Sequence, residues 1–188
     1  MAKGSRDPLA GREILLGVTG SIAAYKAADL VSALSKRKAG VTVLMTRSAA
    51  AFVGPLTFGT LSGRRVVSDL LDPESEDPEH IGLTDRADAM LIAPATANVL
   101  AKLACGIADD PVTTTALALK PATPLLVAPA MNTRMWEHPA TRENLARLEG
   151  RGVRIIPPGE GVLACGTVGV GKLAAVEALI AALEQAFR

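Results

Sequence analysis

The sequence predicts an α/β fold, a three-layer sandwich in which helices cover both faces of a mostly parallel sheet. Three observations carry this. Five short apolar runs, EILLGV, VTVLM, MLIA, PLLVA and GVRII, lack in–out alternation, as expected of strands buried on both faces. Helical patterns separate most of them, which implies crossover connections of one hand between parallel strands. Each run also ends in small, polar or proline residues. In open α/β sheets that is the end where ligands bind.

The elements follow in order. Glu13–Val18 is the first strand and ends at Thr19-Gly20-Ser21. Ile22–Lys38 has Ala, Leu and Val at helical spacing, with Ser21 as its expected N-cap and Gly40 ending it. The Lys36-Arg37-Lys38 run suits the negative end of that helix. Val41–Met45, Met90–Ala93, Pro124–Ala128 and Gly152–Ile156 are the other strands. Helices are expected at Ala97–Ala104, Pro139–Leu148 and Leu173–Ala186. Pro139 fits a first helical turn, where its missing N–H is not needed. Leu71–Glu79 is acidic and proline-bearing, a surface loop or flap.

Composition narrows the function. The 188 residues are 49% hydrophobic and 21% charged, enough for one core and close to one domain at about 100–200 residues per domain. A polar leader is expected over residues 1–11 and a single domain over 12–188. The net charge of +1 gives no basis for nucleic-acid or anionic-membrane binding. No apolar run approaches the ~18 residues that suggest a membrane span. Two cysteines and two histidines exclude a disulfide framework and make a zinc cluster a poor fit. A reducing, cytoplasmic setting is the natural expectation.

The strand ends hold the informative residues. Gly17-Val-Thr-Gly20-Ser-Ile is a tight turn whose N–H groups suit a phosphate. It is not GxGxxG, and Thr46-Arg47-Ser48 after strand two offers no acid for a ribose diol. That disfavours a dinucleotide and leaves a mononucleotide such as FMN compatible. His80 is either a surface histidine or a proton exchanger beside the rim. Asn132 can donate to a carboxylate without adding charge. Met131, Met135 and Trp136 either pack on a planar ring or fill a helix–sheet contact. Cys165, on a glycine-rich loop, is either a proton donor or a small hydrophobe. Cys105 reads as core packing, His138 as part of a helix start and Lys26 as a solvated helix residue.

Several stretches in one chain resemble the homo-oligomeric flavin-containing cysteine decarboxylases. They are GVTGSIAAYKAADL, VLMTRSAAAFVGPLTFGTLSG, His80-Ile81, APATANVLAKLACGIADD, APAMNTRMWEHPAT and LACGTVGVGK. The combination is most similar to the branch that acts on phosphopantothenoylcysteine in coenzyme A synthesis. The resemblance implies a Rossmann-like, flavodoxin-like sandwich and FMN as cofactor. It implies FMN contacts at Gly20, Ser21, Ile22, Thr46, Ser48, Thr96, Ala97, Asn98, Val99 and Ala130. It implies substrate contacts at Asn132, Met135 and Lys172, and catalytic roles for His80 and Cys165.

The implied reaction oxidises the substrate's cysteine side chain, releases carbon dioxide as charge spreads onto sulfur, and then reduces the enethiol with Cys165 as proton donor. A small thiol carboxylate substrate, assembly as a trimer or dodecamer, and a link to phosphopantothenate–cysteine ligase are also implied. Cys165 favours this reductive branch over peptidyl-cysteine decarboxylases that stop at the enethiol; a flavin prenyltransferase or a non-catalytic flavin-binding regulator are the further alternatives. Thr167, Pro111 and the Lys172-Leu173-Ala-Ala ending, which lacks the usual Glu-Pro, depart from the family pattern.

Overall fold

The computed structural model describes residues 7–70, 79–164 and 166–188, without the side chains of residues 79 and 80. The sheet strands are β1 (Glu13–Val18), β2 (Gly40–Met45), β3 (Ala89–Ala95), β4 (Leu125–Pro129) and β5 (Arg154–Ile155). All pair in parallel in the order β2-β1-β3-β4-β5. The order reverses between β1 and β3, and such a switch point opens a crevice beyond the strand ends.

The period of two along each strand separates two cores. Ile14, Leu16 and Val18 of β1 join Val41, Val43, Leu91 and Ala128 on one face. Helices α1 (Ala24–Lys36), α3 (Pro55–Ser62) and α9 (Val176–Ala186) cover it. Leu15, Met90, Ile92 and Val127 point to the other face. There α4 (Glu79–Arg86), α5 (Ala97–Cys105), α6 (Pro111–Leu117) and α8 (Pro139–Gly150) pack. The short helices α2 (Arg47–Ala50) and α7 (Thr133–Glu137) follow strand ends. The two-stranded sheet β6 (Gly159–Val162) and β7 (Val168–Lys172) is antiparallel.

Five strands and four of the helices match the expected positions, with boundaries moved. The first helix begins at Ala24, and its N-cap is Ala23 rather than Ser21. Ser21 Oγ instead accepts from the Ala23 N–H at 3.2 Å, inside the preceding turn. The last helix begins at Val176, because Leu173 and Ala174 are buried before it starts. His138 does cap α8, its Nδ1 accepting from the Ala140 N–H, and Pro139 holds the first turn.

Other expectations are corrected. Residues 7–11 are not a loose leader: Leu9 is fully buried, and Asp7 accepts two hydrogen bonds from Arg37. Arg37 also reaches Glu184, so the basic end of α1 ties together the chain start and α9 as well as suiting the helix dipole. Cys105 is exposed, since α5 turns Val99, Leu100 and Ala104 inward. The glycine-rich stretch around Cys165 is a β-hairpin on both flanks; its open glycines conceal a paired register from Gly159–Lys172 to Val162–Val168. The acidic segment 71–78 lies outside the described residues, and its Glu79 begins α4.

At the opposite end of β1, Arg64 forms a two-pronged pair with Glu13 and also donates to Thr42 Oγ1. The Arg64 hydrogen bonds to Glu13 hold its carboxyl below the ordinary range. A depressed folded-state pKa adds stability above the unfolded value of about 4.3, and the gain is lost as pH falls through the folded value. Both side chains are over a third exposed, so screening limits the gain to below about 1 kcal/mol. Glu13→Gln is expected to lower the urea midpoint slightly at pH 7, with the gap to wild type closing as pH falls below the ordinary carboxylate value of about 4.3. A gap that widens on acidification would disprove the coupling.

Candidate functional site

Thr19 governs the switch point. It is fully buried at the end of β1. Its hydroxyl donates to the Pro94 carbonyl at 2.7 Å and accepts from the Thr96 N–H at 3.1 Å. One side chain thus satisfies a β3 carbonyl and the N–H of Thr96, the N-cap of α5 just after β3, and ties the end of β1 to the start of that helix. The Ala93–Pro94 peptide is cis.

Two cavities meet at this junction. The first, about 590 Å³, is walled by the β1–α1 turn, the start of α5, the segment after β4, and the β6–β7 hairpin. The second, about 290 Å³, lies among the β1 end, α2, α5 and the Asp109-Asp110 segment. Gly20 and Thr96 line both. A methyl group on Gly20 would collide with Ser48 Cβ, so the close approach of the turn to α2 depends on glycine.

Every expected flavin and substrate position lies on one of these cavities. Ser21, Ile22, Ala97, Ala130, Asn132, Met135 and Lys172 line the first. Thr46, Ser48, Asn98 and Val99 line the second. Of the two expected catalytic residues, His80 lies on the first turn of α4 with its side chain outside the description. Cys165 is itself outside it, between Ala164 and Gly166.

The loops are shaped by capping. Thr46 Oγ1 accepts from the Ala49 N–H and Thr96 Oγ1 from the Val99 N–H. The earlier first-turn N–H groups, including those of Ala97 and Asn98, have no acceptor within their helices. That is a setting for an anion. Lys102 on the second cavity is already engaged, 2.6 Å from Asp109 and 3.1 Å from Asp110. The Asp109 hydrogen bond raises the Lys102 pKa and lowers that of Asp109. Asp110 also caps α6 through the Thr113 N–H.

The segment after β4 divides its side chains. Met131 and Met135 line the first cavity. Trp136 packs against the core beneath α8, with the Arg142 guanidinium 4.8 Å from its ring centroid. Trp136 is therefore a packing residue. Asn132 caps α7, its Oδ1 accepting from the Arg134 N–H at 2.8 Å. The two amide hydrogens sit on the other end of that group.

The hairpin is fixed to this segment by a backbone bond from Met131 N–H to Gly171 O at 3.0 Å. Any side chain at Gly171 would run into the Met131 carbonyl, and its φ of +146° is one that other residues rarely adopt. The sequence reading missed Tyr25, Lys26 and Leu173 on the first cavity and Asp109 and Asp110 on the second. Lys26 is corrected from a solvated helix position to a wall residue. The Asp110-Pro111 pair was a readable signal, an N-cap followed by proline at the first helical position.

Thr19→Val keeps the shape and removes the hydroxyl, leaving the Pro94 carbonyl and Thr96 N–H without their partner. The expected loss is about 1–3 kcal/mol, or several degrees in Tm for a domain of this size (~2–4 °C per kcal/mol). Thermal unfolding by circular dichroism checks it; an unchanged Tm would remove Thr19 from its organising role.

Known proteins resemble this chain in sequence and fold. The Flavoprotein family model matches residues 3–188. The chain is 47% identical over 181 residues to the coenzyme A biosynthesis bifunctional protein CoaBC of Vibrio vulnificus strain YJ016, covering 96% of this chain and 45% of that protein. It thus spans under half the length of such bifunctional relatives. Against the probable phosphopantothenoylcysteine decarboxylase of Streptococcus mutans, identity is 49% over 177 residues, 93% of this chain and 98% of the relative. Among solved structures, the FMN-dependent cysteine decarboxylase SpaF has a TM-score of 0.82 at 35% identity, covering 95% of this chain and 97% of that one. A PPC decarboxylase mutant complexed with pantothenoylaminoethenethiol has a TM-score of 0.83 at 31% identity, covering 93% and 97%. With the strand order, the paired cavities and a family match across nearly the whole sequence, the chain belongs to the Flavoprotein family.

Proposed function

We propose that this protein is an FMN-dependent decarboxylase that converts 4′-phosphopantothenoylcysteine to 4′-phosphopantetheine in coenzyme A synthesis. The observation that carries the reading is the joined pair of cavities, one rich in helix-start N–H groups and one larger and lined by methionine, asparagine and lysine. The Streptococcus mutans relative, similar over almost its full length, supports the substrate.

The residues present fit the cofactor. Thr46, Ser48, Asn98 and Val99 surround a small space suited to its phosphate. Gly20, Ser21, Ile22, Thr96, Ala97 and Ala130 surround the larger space for its ring system. FMN, when bound, supplies a reversible two-electron acceptor. The chain's own residues do the rest. Asn132 donates to the substrate carboxylate, and Met135 and Lys172 complete its enclosure. His80 exchanges the thiol proton near neutral pH. Cys165 supplies a proton to carbon after carbon dioxide has left. The overall change is loss of carbon dioxide and gain of one proton, with no net oxidation.

A trimer or dodecamer in the cytoplasm is part of this reading, as is functional coupling to phosphopantothenate–cysteine ligase. The bifunctional relatives support the last point. Cys165 supports the reductive branch over an enethiol-forming peptidyl-cysteine decarboxylase; similarity to SpaF keeps that second reading in the test.

Anaerobic incubation with 4′-phosphopantothenoylcysteine is expected to give a product lighter by one carbon dioxide, with the flavin returned to its oxidised spectrum. Cys165→Ser is expected to release carbon dioxide but stop at the enethiol with bleached flavin. If wild type itself stops there, the second reading replaces the first; a flavin-loaded protein without turnover sinks both. Gly20→Ala is expected to reduce flavin content at least about tenfold, through the Ser48 collision, while the helical signal persists. Full flavin loading in that variant would refute the cradle.

A further inference from the structure

Two lysines, Lys26 and Lys172, are among the residues lining the first cavity, and no Asp or Glu is among its described lining residues. Among the described residues Lys26 is half-buried and Lys172 exposed, and the other half-buried cations, Arg12, Arg37, Arg64 and Lys102, have carboxylate partners. Neither cavity lysine has an ion-pair partner among the described residues.

Both are held in place by their elements. Lys26 is half-buried on the first turn of α1. Ala24 and Ala27 beside it are sealed in the core, which fixes the helix rotation and so the side to which Lys26 extends. Its Nζ lies 6.0 Å from the centroid of the Tyr25 ring, which also lines the cavity. Lys172 ends β7 and runs past Gly161 of β6. A methyl group there would lie 3.7 Å from its Cδ and 3.8 Å from its Nζ. The lysines therefore belong to two different walls, the β1–α1 turn and the hairpin.

An anion that enters a space lined by two cations is attracted by both. The cofactor phosphate has its own setting in the second cavity, where N–H groups rather than free lysines dominate. We propose that Lys26 acts with Lys172 to grip the phosphate of the phosphorylated substrate, making Lys26 a residue that selects phosphorylated over unphosphorylated molecules. This rests on the decarboxylase reading above, and it adds to it the group that recognises the far end of the substrate. A phosphate accepts from both ammonium groups at once, and each such charge-assisted bond is stronger than a neutral one.

The test is calorimetric titration of the flavin-loaded full chain with 4′-phosphopantetheine and with pantetheine. Wild type is expected to bind the phosphorylated molecule at least about tenfold more tightly, with a preference that weakens as salt rises. Lys26→Gln is expected to lose about 10- to 100-fold for the phosphorylated molecule, the range of a charge-assisted hydrogen bond, and less than about twofold for pantetheine. Lys26→Arg should restore most of the difference. Equal losses for both ligands, or a wild type with no preference, overturn the proposal. Loss of flavin from Lys26→Gln would also overturn it, by assigning the lysine to the cofactor. Decarboxylation of 4′-phosphopantothenoylcysteine by the same protein preparations separates the two readings. Carbon dioxide release without phosphate preference sinks only this inference. Preference without release supports it and sinks the decarboxylase reading.

Discussion

The site depends on one buried hydroxyl. A parallel sheet provides strand ends but no reason for two of them to stay in register beyond the ladder. The β1–β3 ladder runs from Ile14–Ala89 to Gly17–Ile92 and stops there. Beyond it, Thr19 takes over, donating to the β3 carbonyl of Pro94 and accepting from the N–H of Thr96 just after the strand. Gly20, the next residue, and Thr96 are those shared by both cavities. The crevice at the switch point is thus held by side-chain-to-backbone bonds where backbone pairing has ended.

The hairpin is the second constraint. It contributes Val162, Leu163, Ala164, Gly171 and Lys172 to the larger cavity, yet it is not part of the main sheet. What places it is the Met131–Gly171 backbone bond and the contact of Gly169 with Thr133, both made possible by missing side chains. Glycine has opposite effects here. It weakens the strands as strands, but it lets the hairpin approach the Met131–Thr133 segment closely enough to form a wall.

Much of this was legible in the sequence. The five strands read correctly because burial on both faces leaves continuous apolar runs, and the expected flavin and substrate positions line the two cavities because motif residues lie at strand ends. What could not be read has a common cause. The helices α2, α3, α6 and α7 have eight residues or fewer, too short for a periodic pattern, so caps such as Thr46 and Asp110 were their only trace. Trp136 and Met135 are neighbours in sequence but sit on opposite sides of a single helical turn, one on the core and one on the cavity. Only helix rotation decides that. Lys26 reads as solvated because lysine on an amphipathic helix usually is; the cavity it lines is completed by distant segments, among them Ala130–Asn132 and Gly171–Leu173.

The distribution of charge between the cavities gives these features a shared logic. At the second, Lys102 is held by Asp109 and Asp110, and Arg47 and the starts of α2 and α5, with their fixed dipoles, also line the space. At the first, two lysines on flexible stems line the space with no acid among its described lining residues. Fixed dipoles in a narrow space favour a ligand that stays, because they pay little to be ordered and are shielded from salt. Mobile ammonium groups in a wider space favour a ligand that enters and leaves, attracting it from solution and releasing it without breaking a rigid cage. On the proposed reading, the first arrangement suits a cofactor retained through many turnovers and the second a substrate exchanged in each. The same fold thus separates holding from recognition by the kind of positive charge it places at each strand end.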